Sequence, residues 1–277
     1  KVSRFAGLKP DPEREVTITC GSSEAIVASL LALVNPGEKV VIFEPFYESY
    51  LPGLSLCGGV PIFLRLRDPD WALDPDELKK VFSQRPKAVI LNTPANPSGK
   101  VFSRGEMEMI ARCCREYGTT VITDEIYEHI LFDGLQHVNM ASLPGMWERT
   151  VTISGISKTY SATGWRVGYC VASAALTREF RKVHQFNTFS IVAPLQHGIA
   201  AYLRQKPSSW QDLSGFFQRK RDLLRSALQG TGLVLPAAQG TYFQLLDYSA
   251  LSQESDVDFA DRLIREARLA PIPLSPF

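Results

Sequence analysis

Lys158 follows a short apolar, β-branched run, Thr150 to Ser157, and stands at the start of a loop of small residues. A lysine in that setting can be desolvated, as an imine-forming amine requires, and a plain surface lysine is the competing reading. Arg166 comes eight residues later, in Ser161-Ala162-Thr163-Gly164-Trp165-Arg166-Val167-Gly168-Tyr169. Asp124 ends the run Thr119-Thr120-Val121-Ile122-Thr123 and leads into Glu125-Ile126-Tyr127. A carboxylate at the tip of a buried strand is costly unless it faces a cation, although many acids at strand ends are merely exposed or capping. Asn96 lies in Asn92-Thr93-Pro94-Ala95-Asn96-Pro97-Ser98-Gly99-Lys100, where two prolines and a glycine make either a stiff mount for a side chain or simply a rigid turn. Gly21-Ser22-Ser23-Glu24-Ala25 follows Val16 to Thr19 and opens a helical pattern. Free N–H groups at a helix start hold anions and the two hydroxyls add donors, but serine is also an ordinary N-cap.

The elements that must position these groups alternate. Short apolar runs at Lys39 to Phe43, Val60 to Leu64, Lys87 to Leu91, Thr119 to Thr123, Thr150 to Ile153 and Val167 to Ala172 read as strands. Helical patterns fall between them, at Ser23 to Val34, Tyr47 to Leu56, from Asp74-Pro75-Asp76-Glu77 onward, and from the capping box Ser103/Glu106 to Gly118. This rhythm predicts an α/β fold with a mostly parallel sheet sandwiched by helices, in which ligands bind beyond the carboxyl ends of the strands. After about Lys182 the pattern turns helical, with one long amphipathic helix from Trp210 to Leu228, whose Arg219-Lys220-Arg221 cluster reads as a solvated face. A strand at Thr241 to Asp247, a helix at Val257 to Arg268 and an incipient strand at Ala270 to Pro273 read as part of a smaller α+β domain. The expected division is 1–208 for the large domain and 209–277 for the connecting helix and partial small domain.

Composition narrows the function. The 277 residues are 45% hydrophobic, enough to build a real core, and 30 Lys and Arg against 29 Asp and Glu leave a net charge of +1. No global field draws such a chain to nucleic acid or an acidic membrane, so small molecules or protein surfaces are the expected partners. The longest apolar stretch, Ala25 to Val34, is too short to span a bilayer, and no secretory signal pattern opens the chain. Cysteines at 20, 57, 113, 114 and 170 show no CxxC spacing and fit a reducing, cytoplasmic setting. His129, His137, His184 and His197 form no close metal pair, so no metal site is expected.

Taken together, the segments GSSEA (21–25), NTPANPSGK (92–100), TDEIYEHI (123–130) and SKTYSATGWRVGY (157–169) resemble the fold-type I, pyridoxal-phosphate-dependent class I/II aminotransferases, in family order and with family-like spacing. EPFYESY (44–50), KVHQFNTFS (182–190), QGTYFQLLDYS (239–249) and IPLSPF (272–277) are most similar to the methionine, glutamine and kynurenine aminotransferase group. The resemblance implies transfer of an amino group between a large neutral, sulfur-containing or aromatic amino acid and a 2-oxo acid. It also implies pyridoxal 5'-phosphate as cofactor and a homodimer. By motif position, Lys158 would bond the cofactor aldehyde and then act as general base and acid. Asp124 would pair with the pyridine nitrogen, and Tyr127 and Asn96 would hydrogen-bond the phenolic oxygen. Arg166, Ser22 and Ser23 would hold the phosphate, and Tyr47 would lie over the cofactor face or pack in the core.

Two departures stand out. Three residues before the lysine, where the family commonly has a phosphate-binding serine, this chain has Gly155; Ser154 and Ser157 are its neighbours. The family's N-terminal segment and its carboxylate-binding C-terminal arginine find no match between Lys1 and Phe277, so the chain reads as a nearly complete cofactor domain plus an unfinished second one, with roughly a hundred residues outside it by domain size. The rival readings are a carbon–sulfur β-lyase of the same fold, a cofactor-sensing regulatory module, and a fragment that binds cofactor without turnover.

Overall fold

The computed structural model describes residues 5–277. Seven strands form one sheet: β1 (Val16–Thr19), β2 (Lys39–Glu44), β3 (Val60–Arg65), β4 (Ala88–Asn92), β5 (Thr120–Asp124), β6 (Thr150–Gly155) and β7 (Gly168–Val171). Their order across the sheet is β1-β7-β6-β5-β4-β2-β3. Strands β3, β2, β4, β5 and β6 are parallel neighbours, while β7 runs antiparallel to both β6 and β1. The carboxyl ends of β1, β2, β4, β5 and β6 therefore share one edge.

Strands β4 and β6 are buried at every position, which is the state of a parallel strand covered on both faces. Side chains alternate between the faces with the strand period of two. Val41, Phe43, Val89, Leu91 and Val121 join one core, completed by Leu78 and Phe82 of α4 (Pro75–Phe82) and Met107 and Ile110 of α5 (Arg104–Tyr117). Val40, Ile42, Ala88, Ile90 and Ile122 join the other, with Ala25, Ile26 and Leu30 of α2 (Gly21–Leu33), which follows the short α1 (Pro12–Glu15), Tyr50 and Leu54 of α3 (Tyr50–Leu56), and Phe180 of α6 (Ala174–Asn187). Local signals set the helix ends. Asp74 accepts from the Asp76 and Glu77 N–H groups ahead of Pro75, Ser103 and Glu106 form the capping box, and Gly118 closes α5 at φ 72.

Helix α2 begins at Gly21 rather than Ser23, and α3 at Tyr50 rather than Tyr47. The long helix expected from Trp210 is α8 (Leu213–Ala227), after α7 (Ala193–Gln205). Its basic cluster is not wholly solvated: Arg219 and Lys220 are exposed, but Arg221 is buried, forks onto both oxygens of Asp133 at 2.6 and 2.9 Å, and donates to the Ala238 carbonyl. The helix expected near the C-terminus is α9 (Asp256–Ala267). Around it the tail lacks the expected strands among the described residues. Thr241 adopts φ +66, which interrupts an extended run, and only the isolated bridges Leu131↔Gly240 and Val234↔Asp247 form. No described helix is long and apolar enough to cross a membrane.

Candidate active site

The shared strand edge gathers the chemistry. Register pairs Asn92 of β4 with Asp124 of β5, and Asp124 with Ile153 of β6, so Asp124 lies in the row that leads on to Lys158. Asn92 also donates from Nδ2 to the Asp124 carbonyl at 2.8 Å, and its Oδ1 accepts from the Asn96 N–H at 2.6 Å. The stiff loop is thereby tied to the tip of β5, with Asn96 partly buried on it.

Asp124 is buried, and its carboxylate accepts from the Tyr50 hydroxyl at 3.0 Å and from the Ile126 N–H at 3.2 Å. Burial raises its pKa from 3.8 to about 6; the Tyr50 hydroxyl opposes that rise more than the Lys158 ammonium does. An acid in this state is stabilised by a cation at its remaining lone pairs. Tyr127 is also buried, and desolvation together with Tyr242 holds its phenol protonated well above the ordinary range.

Lys158 lies just beyond β6 and is partly buried. Its Nζ donates to the Tyr242 hydroxyl at 2.8 Å and sits 5.8 Å from the centre of the Tyr127 ring. Tyr127 and Tyr242 meet edge to face at 5.3 Å, and Phe217 and Phe243 extend this aromatic wall. Tyr242 arrives there because Gly240 lets the chain cross closely. A Cβ at Gly240 would fall 2.7 Å from the Ile130 carbonyl and 2.9 Å from Pro94. Backbone bonds from Gln239 and Gly240 to the Gly99 carbonyl, and from Thr241 to the Ile130 carbonyl, fasten the crossing.

The anion cup forms where β1, β7 and β6 align, with Thr19 opposite Gly168 and Gly168 opposite Gly155. Helix α2 starts at Gly21 with φ +73 and no side-chain cap, which leaves its first N–H groups for an anion. The Arg166 guanidinium lies over that start: a Cβ on Gly21 would sit 2.6 Å from its Nη2. Gly168 is equally tight, since a Cβ there would fall 2.6 Å from the Gly21 carbonyl carbon and 2.8 Å from the Ser22 nitrogen. Ser22 and Ser23 are partly buried on the first turn. Arg166 itself is exposed and has a left-handed backbone, φ 53.

Tyr47 follows β2, is partly buried, and packs edge to face on Tyr50 at 5.7 Å. Ser154 turns away from the cup and donates to Glu128 Oε1 at 2.6 Å. No metal pair is visible in the spacing of the histidines, yet folding brings Glu125, Glu128 and His137 within 4.8 Å of one another, where His137 Nε2 and Asn139 Nδ2 both bond Glu125 Oε2. Tyr50 and Tyr242 are the site residues that spacing alone misses. Both lie in the family-like segments 44–50 and 239–249, but only the fold shows which atoms they reach.

Residues 1–277 match the family model described as aminotransferase class I and II. The chain is 41% identical over 277 residues to the methionine aminotransferase of Escherichia coli strain K12, covering 100% of this chain and 72% of that protein. It is 37% identical over 300 residues to human kynurenine–oxoglutarate transaminase 1, covering 98% and 71%. Among solved structures, an Escherichia coli protein with a methionine aminotransferase function superposes with TM-score 0.96 at 41% identity, over 99% of this chain and 72% of that one. The N-succinyldiaminopimelate aminotransferase of Mycobacterium tuberculosis also reaches 0.96, at 35% identity over 99% and 72%.

Proposed function

The chain belongs to the aminotransferase class I and II family, whose members use pyridoxal phosphate, and from that premise we propose that Lys158, Asp124, Tyr127, Asn96, Arg166, Ser22, Ser23 and Tyr47 are its cofactor and catalytic residues. The reaction is amino-group transfer between an amino acid and a 2-oxo acid. The residues present fit the cofactor. An uncapped helix start beneath a guanidinium, closed to any Cβ at Gly21, suits a phosphate. A buried carboxylate that lacks an ion-pair partner among the described residues suits a protonated ring nitrogen.

When bound, pyridoxal phosphate supplies an aldehyde that condenses with amines and a ring that accepts electron density. Lys158 would hold that aldehyde, and its amine would serve as the base and acid that moves the proton at the substrate Cα. Asp124, whose carboxylate accepts from Tyr50 and the Ile126 N–H, would pair with the positive ring nitrogen. Tyr127 and Asn96 serve the phenolic oxygen, Arg166 with Ser22 and Ser23 the phosphate, and Tyr47 the ring face.

The donor in this reading is a large neutral, sulfur-containing or aromatic amino acid, supported by the methionine and kynurenine relatives and by the wall of Tyr127, Tyr242 and Phe243. Fold likeness does not choose the substrate, since two structures with TM-score 0.96 carry different substrate names. A homodimer and a cytoplasmic setting complete the proposal, as does a division near residue 208. Exposed rings at Phe186 and Phe189 support a subunit contact, and five free thiols support a reducing compartment.

The observation that carries the proposal is a buried acid and an amine at the ends of neighbouring strands β5 and β6, with the anion cup on the same edge. Borohydride reduction of the cofactor-loaded protein followed by peptide mapping is expected to tag Lys158, and Lys158→Ala to abolish turnover. A tag on another lysine refutes the assignment. A half-reaction screen of amino acids, followed by cofactor absorbance, identifies the donor.

A further inference from the structure

Tyr50 is the first residue of α3, is 1% exposed, and packs its ring in the core with Leu54, Ile90 and Ile122. Its hydroxyl crosses to Asp124 Oδ2, 74 residues away in sequence, at 3.0 Å. Phenylalanine would fill the same core volume, so the hydroxyl has to be explained by what it bonds. That bond joins a neutral donor to a buried carboxylate, the charge-assisted kind that strengthens in a low-dielectric interior. The phenol itself resists ionisation strongly, because burial and the Asp124 charge both raise its pKa, so it remains a donor across the working pH range.

We propose that Tyr50 is a positioning residue for the cofactor ring: by donating to Asp124 Oδ2 it keeps that carboxylate ionised and fixes its rotation toward the ring nitrogen. The proposal rests on the reading of Asp124 given above. Ile126 occupies the other oxygen from the backbone, so two donors from different elements clamp the carboxylate and leave its remaining lone pairs for a cationic N–H. The titratable groups around this pair are Glu125 and Lys158 beside Asp124, and Tyr47 and Tyr127 beside Tyr50. Glu125 opposes ionisation of Asp124, and Lys158 favours it less than Tyr50 does. Tyr50 is thus the side chain that donates directly to the Asp124 carboxylate.

The test is a double-mutant cycle on the cofactor dissociation constant, read by fluorescence for wild type, Tyr50→Phe, Asp124→Asn and the double variant. Removing a hydrogen bond to a charged group weakens binding roughly tenfold to a hundredfold. That loss is expected for Tyr50→Phe in the wild-type background, with kcat falling and KM for the amino acid little changed, and it is expected to vanish in the Asp124→Asn background. A loss of equal size in both backgrounds means that Tyr50 acts by packing alone and overturns the proposal, as does no loss in either. If Tyr50→Phe does not fold, Tyr50→3-fluorotyrosine supplies a stronger donor of nearly the same shape. It is expected to lower the pH midpoint of the bound-cofactor absorbance change, and an unmoved midpoint overturns the proposal. A wild-type protein that binds no pyridoxal phosphate at Lys158 refutes the functional reading as well, whereas normal wild-type binding with an inert Tyr50→Phe refutes only this inference.

Discussion

Replacing Asp124 by asparagine in the cofactor-free protein removes a buried acid while keeping its shape and an acceptor for Tyr50. In the fold, burial raises the Asp124 pKa from 3.8 to about 6. For an acid shifted upward, the folded state holds a proton that the unfolded chain has already lost, so stability falls as pH rises between those two values. Below about pH 4 both states are protonated and Asp124 adds no penalty; above about pH 6 both are ionised and the penalty is constant. The difference between 3.8 and about 6, at about 1.4 kcal/mol per tenfold change, sets the penalty at roughly 3 kcal/mol. Urea denaturation followed by tryptophan fluorescence, from pH 4.5 to 7.5, is expected to show wild type losing most of that amount relative to Asp124→Asn. Pyridoxal phosphate at pH 7.5 is expected to stabilise wild type more than the variant, because the ring nitrogen offers the cation that Asp124 lacks. Parallel curves for the two proteins across this range would show that Asp124 is not the strained acid described here.

Two other perturbations address the anion cup. Arg166→Ala leaves the start of α2 without its guanidinium and is expected to weaken cofactor binding roughly tenfold to a hundredfold, the loss of hydrogen bonds to a charged group, while binding of pyridoxal without its phosphate changes little in a fluorescence titration. Gly168→Ala drives a Cβ to within 2.6 Å of the Gly21 backbone, so thermal denaturation is expected to show a loss of about 1–3 kcal/mol together with weaker phosphate binding; an unchanged melting temperature refutes the close approach.

The layered α/β sheet was legible because its strands carry continuous apolar runs and its helices announce their ends at Asp74, Ser103 and Gly118. The placement of Lys158, Asp124 and Asn96 at one edge was legible because each stands at or after the end of such a run, and parallel sheets present their loops at one edge. Tyr50 and Tyr242 were not, because their roles depend on which atoms meet across sequence separations of 74 and 84. The tail misled for a related reason. Thr241 to Asp247 has strand-forming residues, but β-propensity describes fit to a neighbouring strand, and here Thr241 instead bonds the Ile130 carbonyl after β5 while Asp247 makes only an isolated bridge with Val234. Arg221 likewise carries the pattern of a solvated helix face and becomes buried only because Asp133 and the Ala238 carbonyl approach it from elsewhere.

The glycine three residues before Lys158 follows from the same crowding. A Cβ at Gly155 would stand 3.1 Å from the Val167 carbonyl oxygen, 3.2 Å from Gly168 Cα and 3.2 Å from Ile126 Cδ1, so β7 and the turn after β5 press on this position from two sides. Gly168 is in turn pressed by the start of α2, which makes Gly155, Gly168 and Gly21 a single stack of close backbone approaches. Ser154 cannot substitute, because the alternation of β6 turns its hydroxyl toward Glu128. Drawing α2 this close brings its uncapped N–H groups and Arg166 together at the edge of the sheet. With Gly155 carrying no hydroxyl, Arg166 and the uncapped first turn of α2 are the donors this edge offers an anion, so phosphate binding is expected to weaken when either is altered.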